Sequence, residues 1–367
     1  MRLKLIYRDA GNVTGNVSKP RAEEGERLTI KDIARLCGVS VSTVSRVLND
    51  RPDVSRAVRE QVWEAVRSSN YVPNNSARDL VRTSSDAIGL VVRGVSNPFY
   101  SDIIKVIGRE IDAAGYTMVM QQINSTEDEI GRGALMEREK KLRGLIFLGG
   151  RWDYSPEELG PITVPFVCCS FTNSFGSLPR ESYSSVTIED DLAAERAVVE
   201  LLKLGHRRIA CLVAETDDRS ISELRWHGYV RALRAAGIEP DEALVARAHS
   251  FSMEDAYAAA ARLASSGAEF TAMFIIADAM AVAAIKALSD CGRDVPGDCS
   301  VIAIDGLTFS EYIRPTLSTL CQPTARMGEE SVRILLDVIE GRSGNRHLIV
   351  EPVLRRGASI APPGKTI

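Results

Sequence analysis

Between Ser40 and Asn49 the side chains able to act at a surface are Ser42, Thr43, Ser45 and Arg46, short hydroxyls and one forked guanidinium, with no carboxylate among them. Hydroxyls pair with phosphate oxygens, and a guanidinium can grip a guanine edge through two parallel hydrogen bonds. That surface suits grooves of a duplex better than bond-breaking chemistry. Further along, Phe99 and Tyr100 form an aromatic pair. Such faces suit the apolar side of a sugar or a planar base. Signs of catalysis are missing: there is no Gly-x-Gly-x-x-Gly, no Walker-type phosphate loop, since Gly364-Lys365-Thr366 lacks the glycine five residues earlier, and no Gly-x-Ser-x-Gly elbow. His227, His249 and His347 stand apart from one another and from any cysteine, so neither a metal nor another cofactor is expected. His206, in Gly205-His206-Arg207-Arg208, reads as a structural hydrogen-bonding group.

The elements that must hold the polar stretch are short helices. Thr29 is placed to cap a helix with Asp32 at its third position, Ile30, Ile33 and Ala34 share a face, and Gly38 supplies a stop. Ser40 caps a second helix, with Val41, Val44, Val47 and Leu48 at helical spacing. A third, Ser55–Ser69, turns Val58, Val62, Ala65 and Val66 inward. Two amphipathic helices joined only by Gly38-Val39-Ser40 make a helix-turn-helix. The stretch Asn74–Leu80 is too short to persist alone as a helix, and Thr83–Asp86 reads as a polar linker.

From Ala87 onward the pattern changes to apolar runs of strand length alternating with helical stretches ended by glycine. The strands expected are Ile88–Val92, Tyr116–Ile123, Leu145–Leu148, Phe166–Ser170, Ile209–Ala214, Ala272–Ile276, Val301–Ile304 and His347–Val353. Repeated alternation of this kind implies parallel sheets covered by helices, and about 280 residues of it exceed one core, so two α/β subdomains are expected. The adjacent Cys168 and Cys169 should point to opposite faces of their strand.

With 367 residues, 45% hydrophobic and 26% charged, the chain has an ordinary globular composition and room for several folding units. No apolar stretch approaches the roughly 20 residues a membrane span needs, so no membrane partner is expected. Seven cysteines, an odd number without paired spacing, read as reduced thiols in a cytoplasmic protein. The net charge of −4 hides a contrast: Leu28–Thr83 holds nine Lys/Arg against six Asp/Glu, and the acidic excess lies after it. A basic front end precedes an acidic body. Residues 1–27 show no periodicity and read as a disordered extension ahead of the organised chain.

The string Leu28–Ala34 followed by Gly38–Asn49 resembles the DNA-binding head of the lactose-repressor/galactose-repressor family. The likeness continues through Asn70-Tyr71-Val72-Pro73-Asn74, Asn97–Tyr100, Leu204–Ala210, Ala277–Ala281, Ile304-Asp305 and Gln322-Pro323, and so covers nearly the whole chain from Leu28. It implies an all-α helix-turn-helix head on an α/β body of two Rossmann-like subdomains of the periplasmic-binding-protein type I. The boundaries expected are 28–74 for the head, 75–85 for a hinge helix and linker, and 86–367 for an effector-binding and dimerisation body. Within the body, one subdomain spans about 86–190 and 322–345, and the other about 191–321 and 346–367.

By that resemblance Val41, Ser42 and Arg46 meet base edges, Thr29, Ser40, Ser45 and Asn49 meet phosphates, and Tyr71, Asn74 and Ala77 complete the DNA-facing set. Leu80 falls at the family's minor-groove wedge, where two copies prise open a base step. The effector-facing residues implied are Phe99, Tyr100, Ser170, Arg225, Phe251, Asp278 and Asp305, with Asp278 also expected to cap the helix it begins. The chain departs from many relatives in having Ala277 before Asp278, Gly306 after Asp305 and Ser170 at a strand end. Those departures point to a less hydroxylated, differently substituted or acidic ligand among sugars, sugar acids and related metabolites. The function expected is a dimeric repressor of a palindromic double-stranded DNA operator, controlled by a small molecule, with association into tetramers left open. Its rivals are a sugar-binding receptor without DNA function and a metabolic enzyme.

Overall fold

The computed structural model describes residues 28–48, 51–69, 71, 86–94, 98–214 and 219–364. The chain divides into two units, Met1–Arg82 and Thr83–Ile367.

In the first unit, α1 (Ile30–Cys37), α2 (Val41–Leu48) and α3 (Arg56–Ser68) close around a small core of Ile33, Val44, Val47 and Val62. At the start of α1 the Asp32 carboxylate turns back to accept from the Thr29 N–H at 2.9 Å and from its hydroxyl at 2.6 Å. These bonds hold the Asp32 carboxyl below the usual carboxylate range. The tight turn depends on Gly38, whose φ of 62° lies in the left-handed region, while Val39 N–H returns to Ala34 O at 3.1 Å. A side chain there would strain the turn that sets α2 against α1.

The second unit holds two six-stranded sheets. The first runs β11-β5-β4-β3-β1-β2, with β1 Ala87–Arg93, β2 Thr117–Ile123, β3 Gly144–Leu148, β4 Phe166–Cys169, β5 Ser184–Thr187 and β11 His347–Ile349, all parallel. The second runs β12-β10-β9-β8-β6-β7, with β6 Ile209–Val213, β7 Val245–Arg247, β8 Ala272–Ile275, β9 Ser300–Asp305, β10 Ser318–Cys321 and β12 Val353–Arg355, parallel except for antiparallel β12. The central strands β1, β3, β6, β8 and β9 are buried on both faces because helices cover both sides. Cys168 and Cys169 enter separate core clusters, as alternation along a strand requires.

Two differences from the sequence reading have physical causes. The expected strand His347–Val353 is two strands in two sheets: β11 pairs with β5, and β12 pairs with β10. Pro352, between them, has no N–H to give a ladder. The chain therefore crosses to the second sheet after Ile349, later than the expected boundary at 346. Strands β5, β7 and β10 went unread because β5 and β10 are rich in Ser and Thr and β7 is three residues long. The serines are buried without penalty because they pair internally: Ser184 with Asn345 at 2.8 Å, Ser185 with the His347 ring at 2.7 Å.

Candidate nucleic-acid interface and ligand cleft

In the first unit, the α2 face away from the core presents Val41, 40% exposed, beside Ser42 and Arg46. The Ser40 hydroxyl accepts from Thr43 N–H at 3.1 Å and lies 2.7 Å from the Ser42 hydroxyl and 2.8 Å from that of Thr43. These bonds fix the first turn and leave an uncharged, hydroxyl-rich surface. Arg46 faces Asp53 at 3.6 Å, both more than half exposed. Such a pair is worth little in water, so the guanidinium is free to exchange partners. Ser45 is half-buried and Thr29 exposed. Tyr71, expected in the DNA-facing set, is only 8% exposed and its ring belongs to the head's core. Asn49, Asn74, Ala77 and Leu80 lie outside the described residues.

In the body, each sheet changes direction once. In open α/β sheets ligands bind beyond the carboxyl ends of the strands at that switch point. In the first sheet it lies between β1 and β3. There buried Phe99 leads into Tyr100, the first residue of the helix Tyr100–Ala113, with ring centroids 5.7 Å apart. The Tyr100 hydroxyl lies over Gly149, just past β3, where a Cβ would collide with it. Burial, and after it the negative charge of Asp305, push the Tyr100 hydroxyl's pKa up. Glu129, buried in the same lobe, accepts from Arg151 N–H at 2.7 Å and from the Tyr154 hydroxyl, and faces Arg93 Nε at 3.3 Å. It ties the segment after β3 to the end of β1.

In the second sheet the switch lies between β6 and β8. Arg225, on the helix Ile221–Ala235, is 1% exposed and fills that position. Its Nε donates to Asp190 Oδ1 at 2.9 Å, its Nη1 donates to Ile276 O and lies 3.3 Å from Asp305 Oδ1. Gln322 Nε2 donates to the same Asp305 oxygen at 2.9 Å. Asp305 ends β9 with φ at 134°, a strained conformation for a residue other than glycine. Burial raises the Asp305 carboxyl to about 7 and that of Asp190 to about 6, with Arg225 pulling each back. Three buried polar atoms lack a hydrogen bond here: Asp305 Oδ2, Gln322 Oε1 and Arg225 Nη2, the last lying 2.9 Å from Asp190 without the geometry of one. Unpaired polar atoms this deep cost stability unless something else pairs with them.

The structure thus brings Tyr100, Arg225 and Asp305 together and adds Asp190 and Gln322, which sequence reasoning did not place in the site. Gln322-Pro323 was visible as a motif. Nothing in the sequence announced that the first acid of the helix Asp190–Lys203 would be buried. Ser170 is buried just past β4 with φ at 66°, its N–H donating to Val186 O at 2.9 Å. Phe251 is half-buried and packs on the body's core. Asp278 does not cap its helix, since the N-cap is Ala277. Its carboxylate instead accepts from Leu307 N–H at 2.8 Å, Ser310 at 2.9 Å and Thr319 at 2.5 Å. Fully engaged in this way, it acts as a latch on the segment after β9. His206 bridges Thr271 and Ala361 O and is structural. Among the described residues no cluster of His, Cys, Asp or Glu could hold a metal ion, and no helix is long and apolar enough to cross a membrane.

A helix-turn-helix with an acid-free outward face, on a chain whose body carries two switch-point sheets meeting at a buried polar cluster, defines the class of ligand-responsive DNA-binding regulators. Residues 29–74 match the family model of bacterial regulatory proteins, lacI family, and residues 198–360 match that of the periplasmic binding protein-like domain. The chain is 38% identical to the HTH-type transcriptional regulator MalR of Clostridium butyricum over 89% of this chain and 97% of that protein. It is 32% identical to the HTH-type transcriptional repressor CytR of Escherichia coli K12 over 91% of this chain and 97% of that protein. Among solved structures, the CelR–cellobiose complex superposes with a TM-score of 0.67 at 32% identity, covering 91% of this chain and all of that one. The Lac repressor dimer bound to operator superposes with a TM-score of 0.73 at 25% identity, covering 92% of this chain and all of that one. The chain belongs to the LacI family: it is a DNA-binding transcriptional regulator and not an enzyme.

Proposed function

We propose that the protein is a cytoplasmic repressor that binds a palindromic operator as a homodimer and is controlled by a sugar-like effector held between the two sheets of its body. The observation that carries this reading is the α2 surface, where Val41, Ser42 and Arg46 stand outward with no acid among them. Val41 suits a thymine methyl, Ser42 either groove-edge partner, and Arg46 a guanine. Thr29, Ser40 and Ser45, with Asn49 and Asn74, serve as phosphate partners that set register. Leu80 is the wedge between base steps. In the body, Tyr100, Arg225 and Asp305 form the effector's polar and aromatic contacts, with Phe99, Ser170 and Phe251 around them. Asp278 shapes the wall without touching the ligand. The dimer bound to operator in the Lac repressor structure and the cellobiose in that of CelR are the precedents for both partners.

The test is selection of bound duplexes from a random pool by the full chain. Enriched sequences should contain an inverted repeat with half-sites spaced by whole helical turns. Enrichment of a single unrepeated site, or none, would contradict the dimeric operator reading.

A further inference from the structure

We propose that the cleft selects uncharged, hydroxyl-rich ligands and excludes sugar phosphates and sugar acids, because its unpaired buried atoms are mostly acceptors and its cations are already spoken for. This deepens the reading of the cleft as the effector site and rests on it.

Asp305, Gln322 and Arg225 are each more than nine-tenths buried, and each carries one polar atom without a hydrogen bond. Gln322 Oε1 accepts only, and so does Asp305 Oδ2 in the ionised form that the Arg225 guanidinium favours. The orientation of the Gln322 amide is fixed, since only its NH2 can face the Asp305 carboxylate at 2.9 Å. Neighbouring hydroxyls of a polyol donate to both acceptors and accept from Arg225 Nη2 with the same groups. A phosphate or carboxylate group standing in the place of those hydroxyls offers acceptors alone. It would satisfy the guanidinium and leave both oxygens unpaired, facing its own charge.

The charges agree. Arg225 is outnumbered by Asp190 and Asp305. The other arginines near the switch points each already face a carboxylate with which an anion would have to compete: Arg93 with buried Glu129 at 3.3 Å, Arg151 with Asp153 at 3.0 Å, and Arg219 with Glu223 at 3.3 Å. Helix N-termini, the other common anion sites, already carry acids in their first turns: Asp102 after Tyr100, Asp190, Glu223 and Asp278. The acidic ligand suggested by the departures from the family pattern is therefore the class this cleft is least suited to hold.

The experiment is a thermal-shift panel on the full chain with matched neutral and charged ligands: glucose, ribose, maltose, cellobiose and cytidine against glucose 6-phosphate, ribose 5-phosphate, glucuronate and cytidine monophosphate. A ligand of the native state raises the Tm by mass action. Every ligand that raises the Tm should be neutral, with its charged counterpart at least tenfold weaker. Gln322→Met, which removes one acceptor at similar volume, should weaken the neutral ligand at least tenfold, with the melting of the free variant reporting its folding. A phosphate or acid that shifts the Tm as much as its neutral partner, and loses that shift in Gln322→Met, overturns the exclusion while leaving the cleft as the effector site. Shifts untouched by Gln322→Met, or a panel in which no neutral member shifts, overturn both.

Discussion

Arg225→Ala is expected to lower the stability of the body by about 3–5 kcal/mol, the usual cost of removing one partner from a buried ionic cluster. Its guanidinium is the counter-charge for two carboxylates that are each almost wholly buried, Asp190 and Asp305. Without it both must either stay ionised in a poor medium or take up protons. At about 2–4 °C per kcal/mol for a domain of roughly this size, the melting temperature should fall by about 10 °C. The sign of the pH effect follows from the raised carboxyls, Asp305 at about 7 and Asp190 at about 6. A carboxyl raised in the folded state favours its neutral form, so its contribution is present at low pH and is lost as pH rises from its ordinary value through the folded one. Loss of the guanidinium raises both further, so the deficit of Arg225→Ala should be larger at pH 8 than at pH 5.5. Differential scanning calorimetry at the two values measures it. Adding Asp190→Asn and Asp305→Asn to Arg225→Met should recover part of the loss, because no charge is then stranded. A shift of only a degree or two, equal at both pH values, would mean that the cluster is not electrostatically coupled.

Arg46→Ala should have the opposite profile, with little effect on folding and a large one on recognition. Its link to Asp53 spans 3.6 Å between exposed groups. Such a pair contributes at most about 1 kcal/mol, so the melting curve should barely move. A bidentate guanidinium–guanine pair is worth about 1–3 kcal/mol of discrimination, and a symmetric operator uses two, so specific affinity should drop by about tenfold at the least. Binding to scrambled duplex, governed by phosphate neutralisation, should lose far less, since one cation among several is removed. Fluorescence anisotropy on both duplexes at one salt concentration reads the difference. Equal losses on the two would make Arg46 a phosphate contact and take base reading away from it.

The head was almost fully legible because its signals are local. Thr29, Gly38 and Ser40 mark helix ends within a residue, and the apolar spacing in α1 and α2 is that of the observed core. The apolar strands β1 and β3 were equally plain. What was not legible depends on partners distant in sequence. Ser184 and Ser185 are strand residues because Asn345 and His347 arrive beside them. Asp190 is a buried ion because Arg225, thirty-five residues on, meets it, and Arg225 reaches Asp305 across another eighty. The motif places Tyr71 in the DNA-facing set, while its burial depends on the ring joining the core formed by the three helices, a contact the local sequence does not announce. Asp278 departs from its expected capping role for a similar reason: its partners are the hydroxyls of Ser310 and Thr319 and the N–H of Leu307, about thirty to forty residues away in sequence.

The central claim is that occupancy of the body's cleft alters the head's hold on DNA. It is tested most directly by titrating a neutral ligand found in the thermal-shift panel into the full chain bound to its selected operator, with operator anisotropy as the readout. Operator affinity should change at least tenfold at saturation, and linkage requires operator to change ligand affinity by the same factor. Saturating ligand that leaves operator affinity unchanged would contradict the account.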